Sequence, residues 1–233
     1  MKLLIMPLAV WLLFRWLAPS LALPALLLTG VSTGVTAPFF SNLLGADTTR
    51  VLQLTVITSL LVPISLPALV HALAGAEFDI PYWHMTRILL QVIFIPLAAA
   101  LLVKQFMPRL LGLLNRARYA TSVTLFFIIN LGVFSTYAEF IADHQEQVIY
   151  TVVAAFLLAG LYIVWGLAIG IISGRRLNGL TGAVGMTYIN NILIVVFAAR
   201  FFGPEAPLLA AAYLLPYFFM IIPLRWAKTR LGW

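Results

Sequence analysis

Hydrophobic residues in this chain come in long blocks. Eight blocks stand out, at 2–17, 21–44, 50–74, 84–106, 118–138, 146–173, 179–202 and 206–225. Most reach or exceed the roughly 20 residues that carry a helix across about 30 Å of hydrocarbon. They do not alternate apolar and polar residues with period two, as the strands of a transmembrane β-barrel would. The links between them are too short and too apolar for a soluble domain. The pattern predicts an all-α polytopic membrane protein with about eight transmembrane helices.

Two blocks carry polar residues in their middle. The first runs from Thr29 to Asn42 and holds Gly30, Gly34, Pro38, five hydroxyl residues and an asparagine. Pro38 cannot donate a backbone hydrogen bond and crowds the preceding turn. The second runs from Gly179 to Asn191, where Gly182, Gly185, Thr187, Tyr188, Asn190 and Asn191 cluster. Non-helical backbone is tolerated in hydrocarbon only where protein or a wet cavity covers it. Both segments are therefore expected to be interrupted helices facing a cavity, with Thr36, Pro38, Thr187 and Tyr188 as candidate cavity residues. The alternative is a kinked packing helix with small residues at a helix contact.

Asn190 and Asn191 need partners, because a buried unpaired amide is costly. Ser41 and Asn42 are one candidate set. An asparagine carbonyl can also ligate Na⁺, as can carbonyls freed by an unwound helix; the bland reading is an interhelical hydrogen bond. On the next block Thr55 and Ser59 are four apart and share a face, with Gln53 and Thr58 expected elsewhere. Together with Ser41 and Asn42 they would make an oxygen-rich nook for a hard cation. Against this, such hydroxyls often only bond back to the i−4 carbonyl. Asn130, between Phe127 and Phe134, is a further candidate cavity residue.

Charge sets the orientation. With the N-terminus inside, Lys2, Arg50, Lys104, Arg109, Arg116, Arg118, Arg175, Arg176, Arg225, Lys228 and Arg230 fall on the inner side. Only Arg15, Arg87 and Arg200 fall outside, together with every acid but Asp47. This bias predicts that both termini are cytoplasmic. The first block lacks a small-x-small cleavage site, so it is expected to be a retained span and not a signal peptide. The interrupted blocks are each the middle of three, which gives one unit at 1–74 and another at 146–233. The first unit starts outward and the second inward, an inverted pair of the kind that builds secondary transporters. Residues 75–145 supply two spans between them.

Composition narrows the function classes. The chain is 63% hydrophobic and 9% charged, against about 25% charged in soluble proteins. The net charge of +7 is scattered over short links and builds no basic face, so no nucleic-acid partner is expected. There is no cysteine, and the three histidines have no metal-binding spacing. Enzyme chemistry is not expected, since the histidines are dispersed and the acids lie in loops.

The run Gly34-Val35-Thr36-Ala37-Pro38-Phe39-Phe40-Ser41-Asn42, followed by Gly45-Ala46-Asp47, resembles the fourth helix of the bile acid:sodium symporter family. Lys2-Leu3-Leu4-Ile5-Met6-Pro7-Leu8 resembles its third helix. Ala183 to Leu193 resembles its ninth, with Ala183 where the family has a glutamate and Lys2 where it has a glutamine. The resemblance implies a core domain in which the broken fourth and ninth helices cross, beside a panel domain. The panel would here be incomplete, since the first two of ten helices have no counterpart. It also implies a first sodium site at Ser41, Asn42, Thr55 and Ser59, with Asn190 and Asn191 as further candidates.

The expected function is secondary active transport in a cell inner membrane: sodium-coupled symport of a small organic anion by alternating access. The alternatives are a proton-linked or uncoupled exporter, or a core that is inactive or depends on self-association or a partner chain to complete the panel.

Overall fold

The structure, a computed structural model, describes residues 1–75, 82–107, 109, 112, 121, 124–125, 127–128, 131–132, 134–172 and 176–231. Its elements in chain order are α1 (Ile5–Leu17), a 3₁₀ turn (Pro19–Leu21), α2 (Ala22–Gly30), α3 (Ala37–Leu44), α4 (Thr48–Ala74) and α5 (Tyr82–Phe106). There follow α6 (Ala138–Asp143), α7 (Gln145–Ile172), α8 (Arg176–Thr187), α9 (Asn191–Phe201), α10 (Glu205–Ala212), α11 (Leu214–Phe219) and α12 (Ile221–Leu231). Asn130 and eight other residues of the expected 118–138 span lie outside the described residues.

Among the described residues four helices are long and apolar enough to cross a membrane: Thr48–Ala74, Tyr82–Phe106, Gln145–Gly170 and Glu205–Arg230. The last comprises α10, α11 and α12 in succession. It is divided at Tyr213 and Met220, yet Tyr217 N still donates to Tyr213 O at 2.9 Å and Met220 N to Pro216 O at 2.8 Å. The expectation of a full span over 2–17 needs correction. α1 has 13 residues, which at 1.5 Å each reach about 20 Å. The helix begins at Ile5, and Lys2 ahead of it is buried within the protein.

α2 is apolar all round, and nearly every residue of it is buried, as expected for a helix at the centre of a bundle. It packs on α1, α4 and α10, and α10 is buried just as completely. α7 lies along α8 at close range. A Cβ on Gly166 would stand 2.5 Å from Ala183 Cα, and one on Gly182 2.4 Å from Gly166 O. This contact therefore requires glycine on both faces. The first and last thirds of the chain thus share one hydrophobic core, with α2 and α10 at its centre. α5 instead leaves Leu90, Ile95, Leu101 and Leu102 exposed, the apolar face that a bilayer solvates.

Candidate functional site

Both interrupted blocks are broken, and the breaks meet. α2 stops at Gly30 and the chain becomes extended at Val31, with ψ 163°. α3 begins at Ala37, while α8 stops at Thr187 and α9 starts at Asn191. Thr33 and Ile189 form an antiparallel bridge. Gly34 N donates to Tyr188 O at 2.7 Å, and Asn190 N donates to Ser32 O at 2.9 Å. The physical reason is that each break exposes backbone groups that hydrocarbon cannot solvate, and here each satisfies the other's. The approach needs Gly34: a Cβ there would lie 2.7 Å from Ile189 O.

Side chains from three other helices hold this crossing. Thr58 Oγ1 on α4 donates back to Leu54 O at 2.7 Å, which leaves its lone pairs free to accept from Thr33 N at 3.0 Å. Thr55 Oγ1 likewise donates to Val51 O at 2.9 Å, with Gly34 O at 3.5 Å. The i−4 bonding that argues against a site is therefore present, and it is also what turns the hydroxyl oxygens into acceptors. Tyr162 OH on α7 lies 3.0 Å from Thr29 Oγ1, Tyr213 OH donates to Thr187 O at 2.8 Å, and Tyr217 OH pairs with Thr36 Oγ1. Phe40 stacks on Tyr188, with ring centroids 4.1 Å apart.

The residues expected from the sequence are divided among several environments. Thr55, Ser59 and Asn190 come together with Val35 in the wall of a cleft of about 450 Å³ between α4, α5 and α9. Ser41 and Asn42 are not in that wall. Ser41 is buried, with Oγ donating to Pro38 O at 2.7 Å and 3.0 Å from Thr48 Oγ1, while Asn42 is exposed. The two C-terminal asparagines find other partners than the Ser41–Asn42 pair. Asn190 Oδ1 caps α9 by accepting from Leu193 N at 3.4 Å, and Asn191 Nδ2 donates to Ala210 O at 3.3 Å. Thr187 and Tyr188 are completely buried, and neither hydroxyl has a partner. Thr36 is exposed and Pro38 half-buried.

Three contributors escape a reading of the sequence. Thr58 is three residues from Thr55, and i,i+3 pairs share a helix face as i,i+4 pairs do, so its role was legible in the spacing. Tyr162 on α7, Tyr213 between α10 and α11, and Tyr217 on α11 gave no such signal. Lys2 is the third. It is 5% exposed, the one charged residue among the buried described residues. Its Nζ donates to Thr33 Oγ1 at 2.8 Å and to Gly185 O at 2.7 Å.

The crossing has an electrostatic order. α2 and α8 end at it, and α3 and α9 begin at it. The first pair brings the negative ends of helix dipoles, the second pair positive ends. The carbonyls of Thr33, Val35 and Ile189 accept no hydrogen bond among the described residues. Such carbonyls, with hydroxyl and amide oxygens beside them, suit a hard monovalent cation, and the opposite ends suit an anion. Among the described residues no group of three His, Cys, Asp or Glu could hold a metal ion, so the oxygens here are neutral ones.

Residues 1–172 match the family model described as Sodium Bile acid symporter family; the match covers the first break and ends before α8. No curated protein matches the chain.

Proposed function

The chain belongs to the sodium bile acid symporter family, and on that premise we propose that it couples the inward movement of Na⁺ to uptake of a small organic anion by alternating access. It is a multi-pass membrane protein of a transporter family. The observation that carries the finer reading is the cleft at the paired breaks, where Thr55, Ser59 and Asn190 gather neutral oxygens. Na⁺ held there would favour one arrangement of the crossing. An anion that prefers the same arrangement then binds more tightly in sodium, and by linkage raises the affinity for sodium equally. The helix ends at α3 and α9 are the favourable place for its negative charge. Both termini belong on the cytoplasmic side, by the distribution of Lys and Arg.

The test is binding of ²²Na⁺ to the purified chain in detergent, beside the double variant Thr55→Val, Ser59→Ala. The expected result is saturable binding weakened at least about tenfold in the variant, the loss of about 1.4 kcal/mol that two ligand oxygens readily supply. Native protein that is folded and binds no ²²Na⁺ would sink the reading. The proton-linked or uncoupled exporter is the second reading, favoured by the positive charge of Lys2 already lying at the breaks. Ion flux into proteoliposomes in sodium and in choline, at two pH values, separates the two. A requirement for a second copy or a partner chain to complete the panel is tested by the mass of the active species.

A further inference from the structure

We propose that the ammonium of Lys2 is a tethered cation: it fills an ion position between the two breaks, and a free monovalent cation takes that position when the side chain is removed. The geometry is that of an ion site. Nζ lies against a backbone carbonyl in the last turn of α8, Gly185 O at 2.7 Å, and against Thr33 Oγ1 in the other break at 2.8 Å. Thr33 Oγ1 itself donates to Gly185 O at 2.8 Å, so one hydroxyl and one carbonyl converge on the charge. The carbonyl belongs to the negative end of a helix dipole, where a cation is favoured.

The charge is otherwise uncompensated. The ion pair found among the described residues is Arg50–Asp47, and it does not involve Lys2. A lysine near a membrane segment ordinarily extends its head to the surface. Lys2 does the reverse: its head is buried against Thr33 and Gly185 in the two breaks. Ionisable groups inside a membrane protein are expensive and are retained for a role. The role assigned here is to join the two breaks permanently with a positive charge, where an exchangeable ion would come and go. It rests on the reading of the breaks as a transport site only for its consequence: the position of Lys2 adds no ion to the coupling stoichiometry, and the Thr55–Ser59–Asn190 cleft is left as the exchangeable one.

The experiment compares thermal unfolding midpoints of the purified native chain, Lys2→Ala and Lys2→Gln in choline chloride, with methylammonium chloride or NaCl replacing choline at constant ionic strength. Methylammonium is the end of the lysine side chain as a free molecule. The expected result is a Lys2→Ala midpoint about 4 °C or more below native in choline, restored saturably by methylammonium, with no methylammonium response in the native chain. A Lys2→Ala midpoint equal to native in choline, or one that methylammonium does not raise, overturns the proposal. If Lys2→Ala does not fold in any of these salts, Lys2→Gln decides. It keeps hydrogen-bond donors and lacks the charge, so a native midpoint overturns the proposal and a lowered one supports it. ²²Na⁺ binding keeps this apart from the transport reading. Loss of native binding with methylammonium rescue intact fails only the sodium site, and native binding without rescue fails only the tethered cation.

Discussion

Gly34 has no room for a side chain. A Cβ would sit 2.7 Å from Ile189 O and 3.0 Å from its carbonyl carbon, and both are backbone atoms that cannot swing aside. Gly34→Ala must therefore push the breaks apart, at a cost of about 1–3 kcal/mol, the usual range for overpacking. The control is Gly160→Ala on α7, where a Cβ meets nothing within 4 Å. Thermal unfolding in detergent is expected to fall for the first and to stay level or rise slightly for the second, since alanine favours a helix. Equal midpoints would mean that the breaks do not rely on close approach. The same scale explains why Lys2 was hard to place from the sequence. A single lysine ahead of an apolar run is the usual sign of a cytoplasmic anchor, and only the oxygens of two distant segments make the interior a better place for it.

α4 acts as the scaffold of the crossing, because one face of it presents Thr55, Thr58 and Ser59 to the breaks. Thr58 is the most consequential of these. Thr58→Val keeps the shape and removes the acceptor, leaving Thr33 N buried without a partner, which costs about 1–3 kcal/mol. Thr58→Ser keeps the acceptor and is expected to lie much closer to native. Midpoints of the two variants check this, and a valine variant as stable as the serine one would show that Thr33 N has another partner. The breaks themselves were legible in the sequence, since glycine, proline and hydroxyl residues inside an apolar block weaken a continuous helix and are poorly suited to face lipid. That they meet was implied by the family resemblance alone: nothing local in residues 29–36 points to residues 188–190. The short α1 was hidden for a similar reason. Hydropathy counts apolar residues and does not register at which residue a helix starts.

At the scale of the whole molecule, the cleft between α4, α5 and α9 joins elements from the first and last thirds of the chain. If the halves shift during transport, its width changes. Because the chain has no cysteine, Leu60→Cys places a single thiol in its wall without removing a candidate ligand. The rate of modification by a small charged methanethiosulfonate is expected to fall at least about threefold in sodium relative to choline, a difference of about 0.7 kcal/mol. An unchanged rate would argue against a cation entering this cleft. The crossing also bears on how the protein is made. Thr33 meets the segment around Gly185 from 152 positions away in the sequence. At synthesis rates of about 5–20 residues per second, the first break waits on the order of ten to thirty seconds for the second. During that interval the bonds that Ser32, Thr33 and Gly34 make to residues 185–190 are unmade. Biogenesis therefore needs a sheltered, hydrated waiting place beside the insertion machinery, and variants that only slow the arrival of α8 should lower yield without touching the finished protein.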